Sequence, residues 1–338
     1  MRVDEEDHPR HRLGLTRYTT NTNKMRLLAD LDQLNEEQEL QLYKRWETTP
    51  EATRRDAAAL REWLQKQPHL PKLTEDEDEW LCRYLLACKN SLERAKRRIE
   101  YFFTVQAMWP EYFEAPSIEV GMAFSEYMWG APLPKMLPDG TRVTFYKFSP
   151  VLAKDPSNMN WMMFYMLSLG YIELQLSTPG QPLHIEVIFD VENYTMGVNN
   201  SFIAHLGEFR RFVQCIQVAL PLHIRRIHVI NAPPLAIGAL NKLVRPFLQD
   251  KINQRIVTHD NLESLHKLVS RDCLPSDLGG LLPHNMREYT LKWGDMAAAA
   301  AQWFNDRRWM KADLSSKPDC KFNTEFGIDG SFRKLAVD

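Results

Sequence analysis

Apolar positions recur at helical spacing from early in the chain. Leu27, Leu28, Leu31, Leu34, Leu42, Tyr43 and Trp46 predict helix from Met25 onward, broken near Pro50. Leu60, Trp63 and Leu64 carry the pattern on to a stop at Pro68. Thr74-Glu75-Asp76-Glu77 has the residue types of a capping box and predicts the start of a helix bearing Trp80, Leu81, Tyr84, Leu85 and Leu86. Ser91 predicts the cap of a further helix from Leu92 to about Met108, with Ala95, Ile99, Phe102 and Phe103 turned inward. Residues 25–115 therefore read as all-helical. Residues 1–24 are polar and without period, and are expected to be disordered.

The period then changes. The turn Leu137-Pro138-Asp139-Gly140 leads into Arg142–Phe148, a run rich in β-branched and aromatic residues that predicts a strand. Further strands are expected at Leu183–Asp190, Ile224–Asn231 and Ile256–Thr258. Between them lie helical patterns at Pro156–Leu176, Phe202–Leu220, Pro233–Gln249 and Leu262–Val269. Strands alternating with helices imply crossovers and a mainly parallel sheet, an α/β domain over residues 120–283. A C-terminal helix and a loosely attached tail are expected over 284–338.

The chain has 338 residues and a formal net charge of −2, so it does not read as a nucleic-acid binder, and any basic site must be local. Its five cysteines show no CxxC spacing, which points to free thiols in a reducing cytoplasm. No targeting segment is visible, and the charge-free run Pro156–Ile172 reads as a buried helix rather than a bilayer span. Sequence motifs for dinucleotides, for P-loop phosphates, for an α/β-hydrolase elbow and for a zinc protease are all missing. Asp190, at a strand end, is expected to cap the loop that follows. His184 and His228, inside strands, are expected to be hydrogen-bonded structural residues. No catalytic site and no metal site is assigned, and an α/β chain without a catalytic constellation is expected to bind rather than to turn over.

What remains is apolar and basic. Trp161–Ile172 is apolar on every face, so it must be enclosed on all sides, by the sheet on one and by protein or a ligand on the other. The segment Pro233–Gln249 has one apolar face of Leu240, Leu243, Val244, Phe247 and Leu248. Beside it, Lys242, Arg245, Lys251 and Arg255 against Asp250 make Asn241–Ile256 net +3, and Arg210, Arg211, Arg225 and Arg226 add a second cluster. Basic clusters beside an apolar helix suggest an anionic membrane surface.

These motifs, in order, resemble the CRAL-TRIO family of cytosolic lipid-binding and lipid-transfer proteins, in the branch of tocopherol transfer and retinaldehyde-binding proteins and its arthropod members. The residues that carry the resemblance are Leu60-Arg61-Glu62-Trp63-Leu64, Gln67-Pro68-His69-Leu70-Pro71, Trp80-Leu81-Cys82-Arg83-Tyr84-Leu85 and Ser91–Lys96 in the leader. In the core they are Ile188–Glu192, Pro221–Arg225, Ile227–Pro233, Pro246-Phe247-Leu248, Lys251-Ile252 and Leu278-Gly279-Gly280, a coverage of roughly Asp30 to Pro283.

The resemblance implies a sheet floor, helices around one deep apolar cavity, and a mobile gating helix at Pro233–Gln249. It places the pocket on Tyr165, Ser168, Leu169, Ile172, Phe212, Cys215, Ile216, Leu220, Ile224 and Ile227, and the gate on Leu240, Val244, Phe247 and Leu248. Of two serines one turn apart in tocopherol-type relatives, Ser168 is kept and Ile172 replaces the other, which removes a polar partner. A phosphoinositide-binding groove maps onto Arg225, Lys251, Arg255 and His223. His223 takes a lysine position, and Cys88, followed by Lys89, takes an arginine position. The reading is a non-enzymatic carrier with no cofactor beyond one bound hydrophobic lipid, an isoprenoid such as a retinoid, carotenoid or tocopherol. It would meet phosphoinositide-containing membranes transiently. The rival is a phosphoinositide-sensing adaptor whose main partner is a protein.

Overall fold

The computed structural model describes residues 30–114, 118–299, 301–307 and 309–316. The segment 1–24 and the tail beyond 316, both given expectations above, lie outside the described residues.

The leader is built of helices joined by loops, but the helix expected from Met25 begins only at Glu36: residues 30–35 are irregular, and residues 25–29 lie outside the described residues. Helix α1 spans Glu36–Arg45 and opens on a capping box between Asn35 and Gln38. Helix α2 spans Pro50–Gln65, with Thr49 as cap and Pro50 in the first turn. The expected capping box of Thr74 and Glu77 is present and closes a single 3-10 turn, Glu75–Glu77, that feeds α3, Asp78–Ala87. Helix α4 spans Leu92–Met108. The rings of Trp80, Phe102 and Phe103 pack at centroid distances of 5.6–6.1 Å and lock α3 to α4.

After α5, Ile118–Tyr127, comes a five-stranded sheet in sequence order: β1 (Met128–Met136), β2 (Arg142–Phe148), β3 (His184–Asp190), β4 (His223–Ile230) and β5 (Ile256–Thr258). Strand β1 runs antiparallel to β2, and the other pairs are parallel. Strand β1 was not expected. Its Pro132 and Pro134 read as strand breakers, but at a sheet edge a proline forfeits no ladder bond, and the register shifts across them.

Helix α6 spans Pro150–Lys154. Helix α7 spans Trp161–Leu176, beginning later than Pro156 because Asn160 accepts from the Met163 amide at 3.0 Å and sets its start. The expected single helix Phe202–Leu220 is two, α8 (Met196–Ala204) and α9 (Leu206–Gln214), and α9 runs on into a π-turn, Cys215–Ala219. The expected gate helix is α10 (Pro234–Ala239), then a π-turn (Leu240–Val244) and a 3-10 turn (Arg245–Phe247). Helices α11 (Asp250–Asn253), α12 (Leu262–His266), α13 (Met286–Ala299) and α14 (Ala301–Asp306) follow.

The two faces of the sheet have different fates. Val143, Phe145, Ile188 and Ile230 point to one side and pack on Leu265, Leu274, Leu278 and Met286 of the C-terminal segment. The same face buries Glu186, held by Arg226 at 2.7 Å and by His228 at 3.0 Å, with His259 2.9 Å beyond. His228 is thus hydrogen-bonded and structural, as expected. The other face looks into a cavity.

The leader grips this domain through buried Arg83. Its guanidinium donates to the carbonyls of Leu176 and Gln175 at the C-terminus of α7 and to that of Gln181. Cys82, Cys88, Cys215 and Cys273 are free and buried. Among the described residues no helix is long and apolar enough to cross a membrane.

Candidate functional site

The cavity has a volume of about 230 Å3. Its floor is the second face of the sheet: Tyr146 and Phe148 of β2, Ile185, Val187 and Phe189 of β3, Ile224, Ile227 and Val229 of β4, and Ile256 of β5. Alternate residues of β2 and β3 supply this face, as the two-residue period of a strand demands. Strand β4 is different. Ile224 and Ile227 are three apart and would fall on opposite faces of a regular strand. The register of β3 and β4 slips between Ile185 and Glu186, so Arg225 is an extra, bulged residue that restores both isoleucines to the floor.

The walls come from α7 and α9. Tyr165, Ser168 and Ile172 line the cavity from α7, and Phe212 and Ile216 line it from α9 and its π-turn. Three expected pocket residues do not. Leu169 is buried but lies one residue round the helix from Ser168, outside the lining face. Cys215 is fully buried behind Ile216, its thiol pushed up by burial. Leu220 ends the π-turn, with its carbonyl accepting from Arg98 of α4 at 2.8 Å, so it belongs to the seam with the leader.

The lid is α10 with its two turns. Leu240, Val244 and Leu248 face the cavity, joined by Ala236, Ala239 and Ile252. Phe247 does not line it. The π-turn adds a residue to the helical phase, so the inward row continues to Leu248, and Phe247 stands edge-on to Phe209 at 6.3 Å. The lid is entered through Asn231, whose φ of +52° lies in the left-handed region that asparagine tolerates best after glycine, and through Pro233-Pro234. Asp190 accepts from the Asn231 amide at 3.1 Å and from the Glu192 backbone at 3.2 Å, and pairs with Lys147 at 2.6 Å. It caps its loop, as expected, and ties it to Asn231 at the start of the segment over the cavity.

Sequence reasoning missed Gln217. It borders the cavity, but its amide is spent on the lid: Nε2 donates to the Phe247 carbonyl at 3.1 Å, and Oε1 accepts from the Gln249 backbone at 2.7 Å. The signal was a lone polar residue between Ile216 and Val218. Polar groups facing the ligand space are few. Ser168 Oγ donates to the Phe164 carbonyl of its own helix at 2.8 Å. The Tyr165 hydroxyl is buried with no hydrogen-bond partner, and burial drives its pKa well above the ordinary tyrosine range.

The basic residues fall into two sets. Lys251 is held below its ordinary pKa, first by burial and then by Arg255, Lys89, Arg98 and Arg94, so these five cations are neighbours. His223 adjoins them, but burial lowers its pKa to about 4, and its Nε2 lies 2.6 Å from the Ala87 carbonyl. It is neutral near pH 7. Arg225 is engaged elsewhere, in an ion pair with Asp139, and Arg255 donates to the Ile224 carbonyl. The structure therefore brings Lys251, Arg255 and His223 of the expected set together with leader residues Lys89, Arg94 and Arg98, while Arg225 is paired with Asp139.

Residues 133–280 match the CRAL/TRIO domain family, and residues 49–119 match the family described as Pinta-like, UBA domain. Residues 133–280 thus form a CRAL/TRIO domain behind a leader that matches a different family. Over 237 residues it is 29% identical to the human protein called alpha-tocopherol transfer protein-like, a match that covers 68% of this chain and 66% of that one. A match of 116 residues at 34% identity links it to Clavesin-1 of Xenopus laevis, over 33% of this chain and 34% of that one. Among solved structures, that of Sfh5 aligns over 76% of this chain and 92% of that one, with 12% identity and a TM-score of 0.45. The CRAL/TRIO match spans β2 to β5 and so contains the cavity floor, and it runs on through the lid.

Proposed function

We propose that this chain is a lipid carrier that holds one isoprenoid, such as a retinoid, carotenoid or tocopherol, and exchanges it at phosphoinositide-containing membranes. CRAL/TRIO proteins are a lipid-binding and lipid-transfer family, and the tocopherol-related relative is consistent with an isoprenoid. The observation that carries the reading is the cavity. It is apolar almost throughout, is covered on one side by α10 and its two turns, and carries three buried hydroxyls without a protein acceptor, on Tyr165, Tyr171 and Thr144. Burial of apolar ligand surface supplies about 25 cal/mol per Å2 before ordering costs. Tyr165 offers a donor to a single polar group. The cluster of Lys251, Arg255, Lys89, Arg94 and Arg98 supplies positive charge for a multivalent phosphate headgroup.

The test is equilibrium binding of retinol and α-tocopherol, read by quenching of intrinsic tryptophan fluorescence, since Trp161 lines the cavity. Saturable one-to-one binding in the micromolar range or tighter is expected. If neither ligand binds, while vesicle binding still depends on the headgroup, the isoprenoid-carrier reading falls and the adaptor takes its place.

A further inference from the structure

A second cavity, of about 290 Å3, lies between α5, α7, β1 and α13. Six residues border both cavities: Met128, Thr144, Tyr146, Phe164, Ser168 and Tyr171. The partition between the two spaces is therefore made of side chains. Its central ring, Tyr146, stands edge-on to Phe164 at 5.0 Å and stacks on Phe189 at 5.3 Å. It fits against β1 because residue 130 is glycine: a Cβ there would come within 2.6 Å of the ring.

The partition is polar in a particular way. Thr144 Oγ1 and the Tyr171 hydroxyl are buried next to each other, and neither meets a protein carbonyl or carboxylate acceptor. Neighbouring Arg142 lines neither cavity, and its terminal nitrogens hold the carbonyls of Leu133, Pro134 and Asp32 and the side chain of Gln181. The hydroxyls of Thr144 and Tyr171 are neutral groups side by side, and the Arg142 guanidinium behind Tyr171 strengthens that hydroxyl as a donor. At the mouth of the second cavity stand the carboxylates of Glu114 and Asp295, while Glu173 is paired with Arg307 at 3.0 Å. Negative charge at the mouth disfavours fatty-acid carboxylates and other anionic headgroups there. The rim also exposes two large apolar side chains, Met122 (63% exposed) and Leu291 (45%). Each cavity alone lies at or below the lower end of the roughly 300–1,000 Å3 of ordinary ligand sites, and the pair together falls well inside that range.

We propose that the second cavity is a binding compartment for an apolar chain, and that the pair takes a neutral two-armed lipid of the long-chain ester class. Its carbonyl oxygen accepts from Tyr171 or Thr144 at the partition, and one hydrocarbon arm fills each cavity. The proposal rests on the lipid-carrier reading and extends its ligands from isoprenoids to neutral long-chain esters.

Native mass spectrometry of the full chain with oleyl alcohol, a one-armed probe, and oleyl oleate, a two-armed one, tests it. Two variants block the second cavity, Gly121→Phe in α5 and Gly294→Phe in α13. At both positions an added Cβ meets nothing within 4 Å, and leaving glycine favours the helix. Wild type should bind both probes. Each variant should lose at least tenfold for the ester and stay within twofold for the alcohol, with an unchanged melting curve. Ester binding undiminished in both variants overturns the inference, as does a wild type that takes the alcohol alone. Loss of both probes by both variants at unchanged stability overturns the assignment of one arm to each cavity. If wild type binds neither probe the inference is overturned, while the isoprenoid carrier reading stands or falls on its own retinol and α-tocopherol titrations.

Discussion

Tyr165 is the residue on which cavity chemistry turns. A buried hydroxyl without a partner costs about 1–3 kcal/mol. Tyr165→Phe should therefore leave the empty protein as stable as wild type or about 1 kcal/mol more so, while weakening a ligand that carries a hydroxyl by about tenfold. Thermal melts and binding titrations read the two effects separately. Cys215 is the converse case. It is fully buried in packed side chains rather than at the cavity, so Cys215→Trp should destabilise the fold by about 1–3 kcal/mol through overpacking, visible as a lowered melting temperature. Its smallness and helical position suited a pocket residue, and only the burial of its neighbours separates the two roles. His184 and His223 make a third case. Burial, the largest cause for both, holds them at about 3 and about 4, against about 6.5 unfolded. The unfolded chain then binds protons that the folded chain does not. Stability is full above pH 6.5 and falls as pH drops toward 4, by at most about 1.4 kcal/mol per unit for each histidine. His223→Gln should flatten part of that fall in urea unfolding measured at pH 7, 6 and 5; an unchanged slope would show that His223 does not titrate this way.

At the scale of elements, the strands and the leader were legible because their signals are local. Arg142–Phe148 was read to the residue, and Thr74 with Glu77 closes the predicted box. Three features had no local signal. Strand β1 carries prolines that only an edge position excuses. The bulge at Arg225 exists because β4 must match β3. The π-turns at Cys215–Ala219 and Leu240–Val244 add residues to helices whose apolar spacing looks ordinary. The last of these moved Phe247 out of the inward row and left Leu248 in it. The lid is consequently held by fewer inward side chains than its sequence suggests, and by the amide of Gln217. Gln217→Leu removes both hydrogen bonds to the segment Phe247–Gln249 and adds no charge. It should speed ligand transfer to acceptor vesicles by about tenfold, the equivalent of about 1.4 kcal/mol, with little change in melting temperature. An unaltered transfer rate would mean that the lid does not open at that end.

For the whole molecule, the leader and the CRAL/TRIO domain meet at two kinds of contact. Arg83 and Arg98 bind carbonyls across the seam, and Lys89, Arg94 and Arg98 add their charge to Lys251 and Arg255. That shared cluster could not be read from either segment alone, because its members lie more than 150 positions apart and only the fold joins them. It makes a contrast available. Lys251→Ala with Lys89→Ala should weaken binding to vesicles containing a bisphosphorylated phosphoinositide by about tenfold, more so at low salt. Arg225→Ala should change it less than threefold, since Asp139 already neutralises that arginine. Equal losses would return Arg225 to the membrane-binding set. The central claim, that the cavity holds one lipid, is tested most directly by native mass spectrometry of the purified full chain, followed by extraction and identification of what it carries. The account predicts a single additional mass of an apolar lipid, at a stoichiometry of one, that is lost when vesicles are added. A chain that emerges empty, and that stays empty after incubation with a total lipid extract, would contradict it.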